Sequence, residues 1–166
     1  MRRIVADSGP LIALARGRLL DMLRQVAGDI LVPEAVFVEC CRDGSRPGAS
    51  VLIRARDQHL LQVRSDGEVE SLPGLRDIAN LGPGETAVLS LASAESCPVL
   101  MDDRLGRKVA AAHGIPVIGS AGILLAAKER GLIDEIAPIL AGWRGWGYFL
   151  APGLVNAVLR RAGEGG

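Results

Sequence analysis

The sequence predicts an α/β fold: a three-layer α/β/α arrangement with a mostly parallel sheet covered by helices on both faces. Three observations lead there. Short β-branched or apolar runs alternate with longer segments of helical spacing, the pattern of strands joined by crossover helices. The 166 residues suit one domain (residues 1–166), able to bury roughly 70% of the surface its unfolded chain exposes. The composition, 49% hydrophobic and 23% charged, belongs to a folded globular chain and excludes disorder.

The elements follow in order. Ile4-Val5-Ala6 reads as a strand, and Pro10 to Leu14 opens a helix. Apolar residues at Leu19, Leu20, Met22, Leu23 and Val26 have helical spacing. Ile30-Leu31-Val32 is a second strand, stopped by Pro33. Proline suits a first helical position, so Pro33 to Cys41 is expected to be helical, with Glu34 in its first turn. Gly48 to His59 reads as a helix and Leu60 to Val63 as a weaker strand. Ser65 to Gly84 is rich in glycine, proline and charge, and a short helix at Leu75 to Asn80 would relieve so long an irregular stretch. A helix at Gly84 to Glu95 precedes a strand at Pro98 to Met101. Then come a helix at Arg104 to His113 closing on Gly114, a strand at Ile115 to Ile118, and helices at Ala121 to Glu129 and Gly153 to Arg161. No internal repeat or low-complexity segment interrupts them.

Charge and cysteine content narrow the function. Lysine plus arginine and aspartate plus glutamate both total 19, so no global basic field draws nucleic acid. A polyanion must therefore be gripped by a local patch or by a metal. Cys40, Cys41 and Cys97 are an odd number without C-x-x-C spacing, which suggests free thiols in a reducing cytosol rather than a zinc site. The opening Met-Arg-Arg-Ile-Val-Ala-Asp lacks the apolar core of a signal peptide. The apolar stretch Ile136 to Leu159 is broken by Arg144, prolines and glycines. The expectation is a cytoplasmic, unanchored protein.

In open parallel sheets, ligands collect outside the carboxyl ends of the strands. Asp7 follows the first strand, and Asp102-Asp103 follow the strand ending at Met101. Acids meeting at one sheet edge repel and raise one another's pKa, a cost that a bound cation reverses. Mg²⁺ or Mn²⁺, hard ions with oxygen ligands, suit such a site. Each acid also has an ordinary explanation as a helix cap. Glu85, in Leu81-Gly-Pro-Gly-Glu-Thr-Ala, sits at a helix start, where the helix dipole favours an acid. Glu39 differs from Glu34 by roughly 140° around its helix and sits beside Val36 and Val38, where an acid needs a reason.

Other chemistries lack their residues. Gly82-x-Gly84-x-x-Ala87 is a loose dinucleotide fingerprint, but no buried strand precedes it and Glu85 would repel a pyrophosphate. No phosphate-binding Gly-Lys-Ser/Thr or Gly-x-Ser-x-Gly nucleophile elbow is present. His59 and His113 lie far apart, and His113 reads as a helix C-terminal cation.

The text around the acids resembles PIN-domain nucleases. Ala6-Asp7-Ser8-Gly9-Pro10-Leu11-Ile12-Ala13-Leu14 is similar to their opening strand and turn. Val32-Pro33-Glu34-Ala35-Val36 with Glu39 is similar to their second acidic segment, Leu81 to Ala87 to the third, and Leu100-Met101-Asp102-Asp103-Arg104 to the fourth. Gly147-Tyr148-Phe149 and the ending Leu159 to Glu164 resemble a prokaryotic branch related to the toxins of toxin–antitoxin systems. The resemblance implies a Rossmann-like sheet, Mg²⁺ or Mn²⁺, and hydrolysis of RNA. It implies Asp7, Glu39, Glu85 and Asp103 as catalytic, metal-binding acids, with Asp102 as an alternative or supporting ligand. Two departures matter: the third acid is Glu where many members have Asp, and the doubled Asp leaves the fourth ligand ambiguous.

The expected activity is metal-dependent endoribonuclease action on single-stranded RNA as a toxin component. The expected partners are RNA, a cognate antitoxin and a second copy of the chain. Ser8, Arg104, Arg107 and Lys108 are the candidate substrate-binding residues; for Ser8, capping the helix at Pro10 is an equal alternative, and for the cations a solvated helix face. Arg16, Arg18 and Arg24 are further cations on the first helical segments. Four of the five aromatics fall between Trp143 and Phe149, a cluster expected to pack the C-terminal helix or bury a protein contact rather than stack bases. Two alternatives remain: Mg²⁺-dependent phosphotransfer on an aspartate, and a PIN-like module that binds RNA or protein without cutting. The first lacks the second aspartate that a haloacid-dehalogenase pattern places two residues on, since position 9 is glycine.

Overall fold

Five parallel strands run in the order β3-β2-β1-β4-β5 through the middle of the computed structural model, which describes residues 2–42 and 44–165. β1 (Arg3–Ala6) pairs with β2 (Asp29–Pro33) on one side and β4 (Val99–Leu100) on the other. β3 (Leu61–Arg64) and β5 (Val117–Ile118) form the edges. Parallel neighbours cannot be joined by tight hairpins, so helices fill every crossover. α1 (Ser8–Arg16) and α2 (Leu20–Ala27) connect β1 to β2. α3 (Glu34–Cys41) and α4 (Ala49–Asp57) connect β2 to β3. α5 (Pro83–Glu95) leads to β4 and α6 (Arg104–Ala112) to β5. α7 (Ser120–Glu129), α8 (Ala137–Gly145) and α9 (Pro152–Arg161) complete the helical layers.

The apolar runs that predict the strands are the centre of the core. Ile4, Val5, Ala6, Leu31, Val32, Val99 and Leu100 are buried, as sheets covered on both faces require. α5 packs on β1, β2 and β4 and on α3, while α7 packs on α2 and α9.

The strand order reverses between β1 and β4. β1, β2 and β3 extend the sheet one way and β4 and β5 the other, opening a crevice beyond the carboxyl ends of β1 and β4. Their alignment is tight, with Val5 opposite Val99 and the Asp7 N–H donating to the Leu100 carbonyl at 3.0 Å.

Some elements differ from the sequence reading. β2 runs through Pro33, which lies opposite Arg64; lacking an N–H, proline is tolerated at a strand end. β4 is shorter than Pro98 to Met101, although Pro98 O and Met101 N still bond to the neighbouring strands. The stretch after β3 holds two single 3₁₀ turns, Asp66–Glu68 and Leu75–Asp77, instead of a helix to Asn80. α8 is a helix the sequence reading does not contain. The three cysteines are free thiols, Cys40 and Cys97 buried. Among the described residues no helix is long and apolar enough to cross a membrane.

Candidate active site

The crevice at the strand reversal is a cleft of about 660 Å³, lined by Asp7, Glu85, Asp102 and Asp103 together with Ser8, Arg104 and Arg107. The expected convergence is therefore present for acids from three separate segments. Asp7 occupies the N-cap position of α1, yet its side chain makes no capping hydrogen bond there. It is buried, only 6% exposed. Burial pushes its carboxyl up to about 7; the negative charges of Glu85, Glu39 and Asp103 add to the effect, against a stabilising Ser8 backbone hydrogen bond. An ordinary cap does not produce such a group.

Glu85 and Glu39 reach the site through glycines. Gly82 leaves space that the Glu85 carboxylate fills, since a Cβ on Gly82 would lie 2.5 Å from Glu85 Oε2. Glu39, on α3, brings its carboxylate beside the buried Gly84, where a Cβ would stand 3.1 Å from Glu39 Oε2. The Gly-Pro-Gly-Glu turn is thus spaced to hold two carboxylates at the start of α5, not to cradle a pyrophosphate. Glu39 is otherwise exposed, and Glu34 lies in the first turn of α3 as an ordinary helix-start acid.

The doubled aspartate divides its work. Asp103 caps α6, its Oδ2 accepting from the Gly106 N–H at 2.7 Å, and the side chain stands exposed at the cleft. Asp102 turns the other way. Its Oδ1 accepts from the Ser120 N–H at 2.8 Å, and its Oδ2 from the Ser120 hydroxyl at 2.6 Å and from the Tyr148 hydroxyl. Burial and the Asp102 charge keep the Tyr148 phenol protonated, as a donor. Gly9 makes room for the tyrosine ring, with a Cβ there only 3.3 Å from Tyr148 Cε2.

Of the predicted substrate-binding cations, Arg104 is exposed at the cleft. Arg107 also lines it but donates to the Met101 carbonyl at 3.2 Å, which ties it to the end of β4. Lys108 is exposed on α6 outside the cleft lining. Arg16 stacks on Trp146 at 4.5 Å from the ring centroid, and Arg24 sits 3.7 Å from Asp29. His113 holds the Val109 carbonyl through Nδ1 at 2.9 Å, at the end of α6.

Two partners of the site escape the sequence reading. Tyr148 is noticed there as part of an aromatic cluster and of the Gly147-Tyr148-Phe149 motif, not as a partner of Asp102. Ser120 lies two residues beyond β5, at the first position of α7, so inspection of that strand end would have found it.

A family model described as "PIN domain" matches residues 3–164. The chain belongs to the PIN-domain family. The PIN fold is a nuclease fold, and PIN-domain nucleases typically use divalent metal ions. Solved structures similar to this chain include a PilT N-terminus domain protein from the hyperthermophilic archaeon Sulfolobus solfataricus, 16% identical over 75% of this chain and 92% of that chain, with a TM-score of 0.49. A domain of a functionally unknown protein from Methanocaldococcus jannaschii is 18% identical over 72% of this chain and 91% of that chain, with a TM-score of 0.48. No curated protein matches this PIN domain in sequence.

The donor set of the PIN-domain cleft suits a hydrated hard cation better than a caged one. Among the described residues no group of three or more histidine, cysteine or acidic side chains is placed to hold a metal ion. Mg²⁺ keeps several waters and needs only one or two carboxylates, which spaced acids around an open cleft can supply. Cys40 is no rival donor, because burial, with Glu39 nearby, pushes its thiol up to about 12.

Proposed function

We propose that this PIN domain is a divalent-metal-dependent endoribonuclease that hydrolyses phosphodiester bonds in single-stranded RNA. One observation carries the reading: a buried acid at the strand reversal, Asp7, lines an open cleft with Glu85 and Asp103, and their charges, with that of Glu39 on α3, oppose its ionisation. An acid cluster of this kind destabilises a fold unless a cation offsets it. Asp7 and Asp103 would hold the ion, Mg²⁺ or Mn²⁺, with Glu39 and Glu85 completing its surroundings or positioning water. When bound, the ion supplies a water of lowered pKa and charge stabilisation at the scissile phosphate.

The chain's own groups do the rest. Arg104 is placed to grip a non-bridging phosphate oxygen, for which its forked donors are suited. Ser8, beside Asp7 on the cleft wall, can donate its hydroxyl to a carboxylate or a phosphate. Asp102 is committed to Ser120 and Tyr148, and through them it fixes the turn that presents Asp103. Asp103 thereby becomes the fourth acid and Asp102 its support. A toxin role, restrained by an antitoxin, is the part of this reading supported by the family resemblance alone.

The test is incubation of labelled single-stranded RNA with wild type and Asp7→Asn, with Mn²⁺ and with EDTA. Cutting is expected only with the ion, and to fall by at least about 100-fold in the variant, beyond the cost of losing a supporting residue. Equal cutting by both proteins would mean a contaminating nuclease and remove the proposal.

A further inference from the structure

The cleft has a wall that metal-assisted hydrolysis does not use. Facing the acids and Arg104 are Phe149, 67% exposed, and Leu154, 42% exposed, which line the same cleft. Phe149 is the most exposed of the large hydrophobic side chains described. Its backbone is nonetheless well held. The neighbouring Tyr148 N–H donates to the Trp143 carbonyl at 2.9 Å, and its ring meets Trp143 edge-on at 5.7 Å and 73°. Its hydroxyl is fixed on Asp102, and Leu150 on the other side packs against the core. The chain thus presents a bare aromatic face on an anchored segment beside the acids.

We propose that Phe149 is a stacking platform for an unpaired nucleobase next to the scissile phosphate, an inference that rests on the nuclease reading. Every base has a π-face, so such a platform accepts single strands with little sequence preference. Bases in a duplex are already stacked and cannot use it. A nucleotide also brings its own phosphate to Arg104. An apolar protein segment seated on Phe149 would instead close the cleft over Asp103 and Arg104 and strip their water without offering charge in return. The proposal departs from the sequence expectation that the aromatic cluster packs the C-terminal helix or buries a protein contact rather than stacking bases.

The test uses the full chain as wild type, Phe149→Ala and Phe149→Trp. In Mn²⁺, kcat/KM is measured on a short single-stranded RNA oligonucleotide, on the same sequence as DNA, on its duplex, and on RNAs with one abasic position moved along the strand. Phe149→Ala should lose roughly five- to 150-fold on the intact single strand, the range for one lost base stack, while Phe149→Trp retains activity. At one position, abasic substitution should cost the wild type the same factor and the Ala variant nothing further, as a double-mutant cycle demands. A preference for the RNA over the DNA arm assigns the base to RNA. Unchanged cutting by Phe149→Ala overturns the platform and leaves the nuclease standing. A loss that is the same at every abasic position, accompanied by loss of a dimer in size-exclusion chromatography, overturns it in favour of a self-interface. Failure of wild type to cut any strand removes the nuclease reading and the platform with it.

Discussion

Asp7 is buried where its own ionisation is opposed, and this makes a testable cost. Its carboxyl is pushed up from an ordinary 3.8 to about 7, first by burial and then by Glu85, Glu39 and Asp103. Between those two values the folded protein binds more protons than the unfolded chain. Stability therefore falls as pH rises from about 4 to about 7 and levels off above. Three pKa units correspond to about 4 kcal/mol, an upper scale for one group. In EDTA, Asp7→Asn should be more stable than wild type at pH 8 by a few kcal/mol and should show a flatter profile below it. Urea unfolding at pH 4.5 and pH 8 checks this, and parallel profiles for the two proteins would contradict it. At this scale the sequence was legible where a residue's place in its strand or helix carries the signal: Asp7 and Asp103 follow strands, and Glu39 is an acid among valines. It was silent where the partner is remote. Nothing local to Asp102 says that Tyr148, 46 positions on, will take its Oδ2.

The elements repeat that division between near and far. Pro33 before α3 and Gly82-Pro83 at the start of α5 are local start signals, and both helices begin within one residue of where the sequence places them. α8 has proline in its first turn but no side-chain cap of its own. Its first N–H groups are satisfied from beyond α9, where the Glu164 carboxylate accepts from Ile136 N and Ala137 N at 2.9 Å and from Lys128 Nζ at 2.9 Å. A helix whose cap arrives from the end of the chain cannot be read from its own residues. The Ala137 backbone bond, the Lys128 bond and the Ile136 bond hold the Glu164 carboxyl down at about 2, below its ordinary 4.5. Its contribution is therefore present above about pH 4.5 and lost as pH falls toward 2. Glu164→Gln should melt below wild type at pH 6, with the gap narrower at pH 3 and closing only near pH 2, and should speed hydrogen exchange in α8. Circular dichroism melts at pH 6 and pH 3 decide it; coincident melts at pH 6 would show that the latch contributes nothing.

Across the whole molecule, the parallel sheet explains why acids from distant segments converge on one edge. Every strand delivers its following residue to the same edge, and the reversal between β1 and β4 leaves that edge open. α3 and α5, packed together, add Glu39 and Glu85 from the side. With a net charge of zero, no general attraction for RNA or cations supplements the cleft, so an ion of the proposed nuclease would have to be held by these side chains. Linkage then ties ion binding to the stability of the entire fold, because the unfolded chain has no such cluster. Free ion at 100 times its dissociation constant adds about 2.7 kcal/mol. For a domain of this size that raises the melting temperature by roughly 5–10 °C. Wild type should therefore gain melting temperature progressively through millimolar Mn²⁺ or Mg²⁺, and Asp7→Asn should gain much less. The variant should start higher in EDTA, because the same carboxylate that attracts the ion destabilises the empty fold. Opposite responses of one residue, in the absence and presence of the ion, separate a metal-binding cluster from a PIN-like module that only binds RNA or protein. A folded wild type whose melting temperature ignores both ions would favour that inert module.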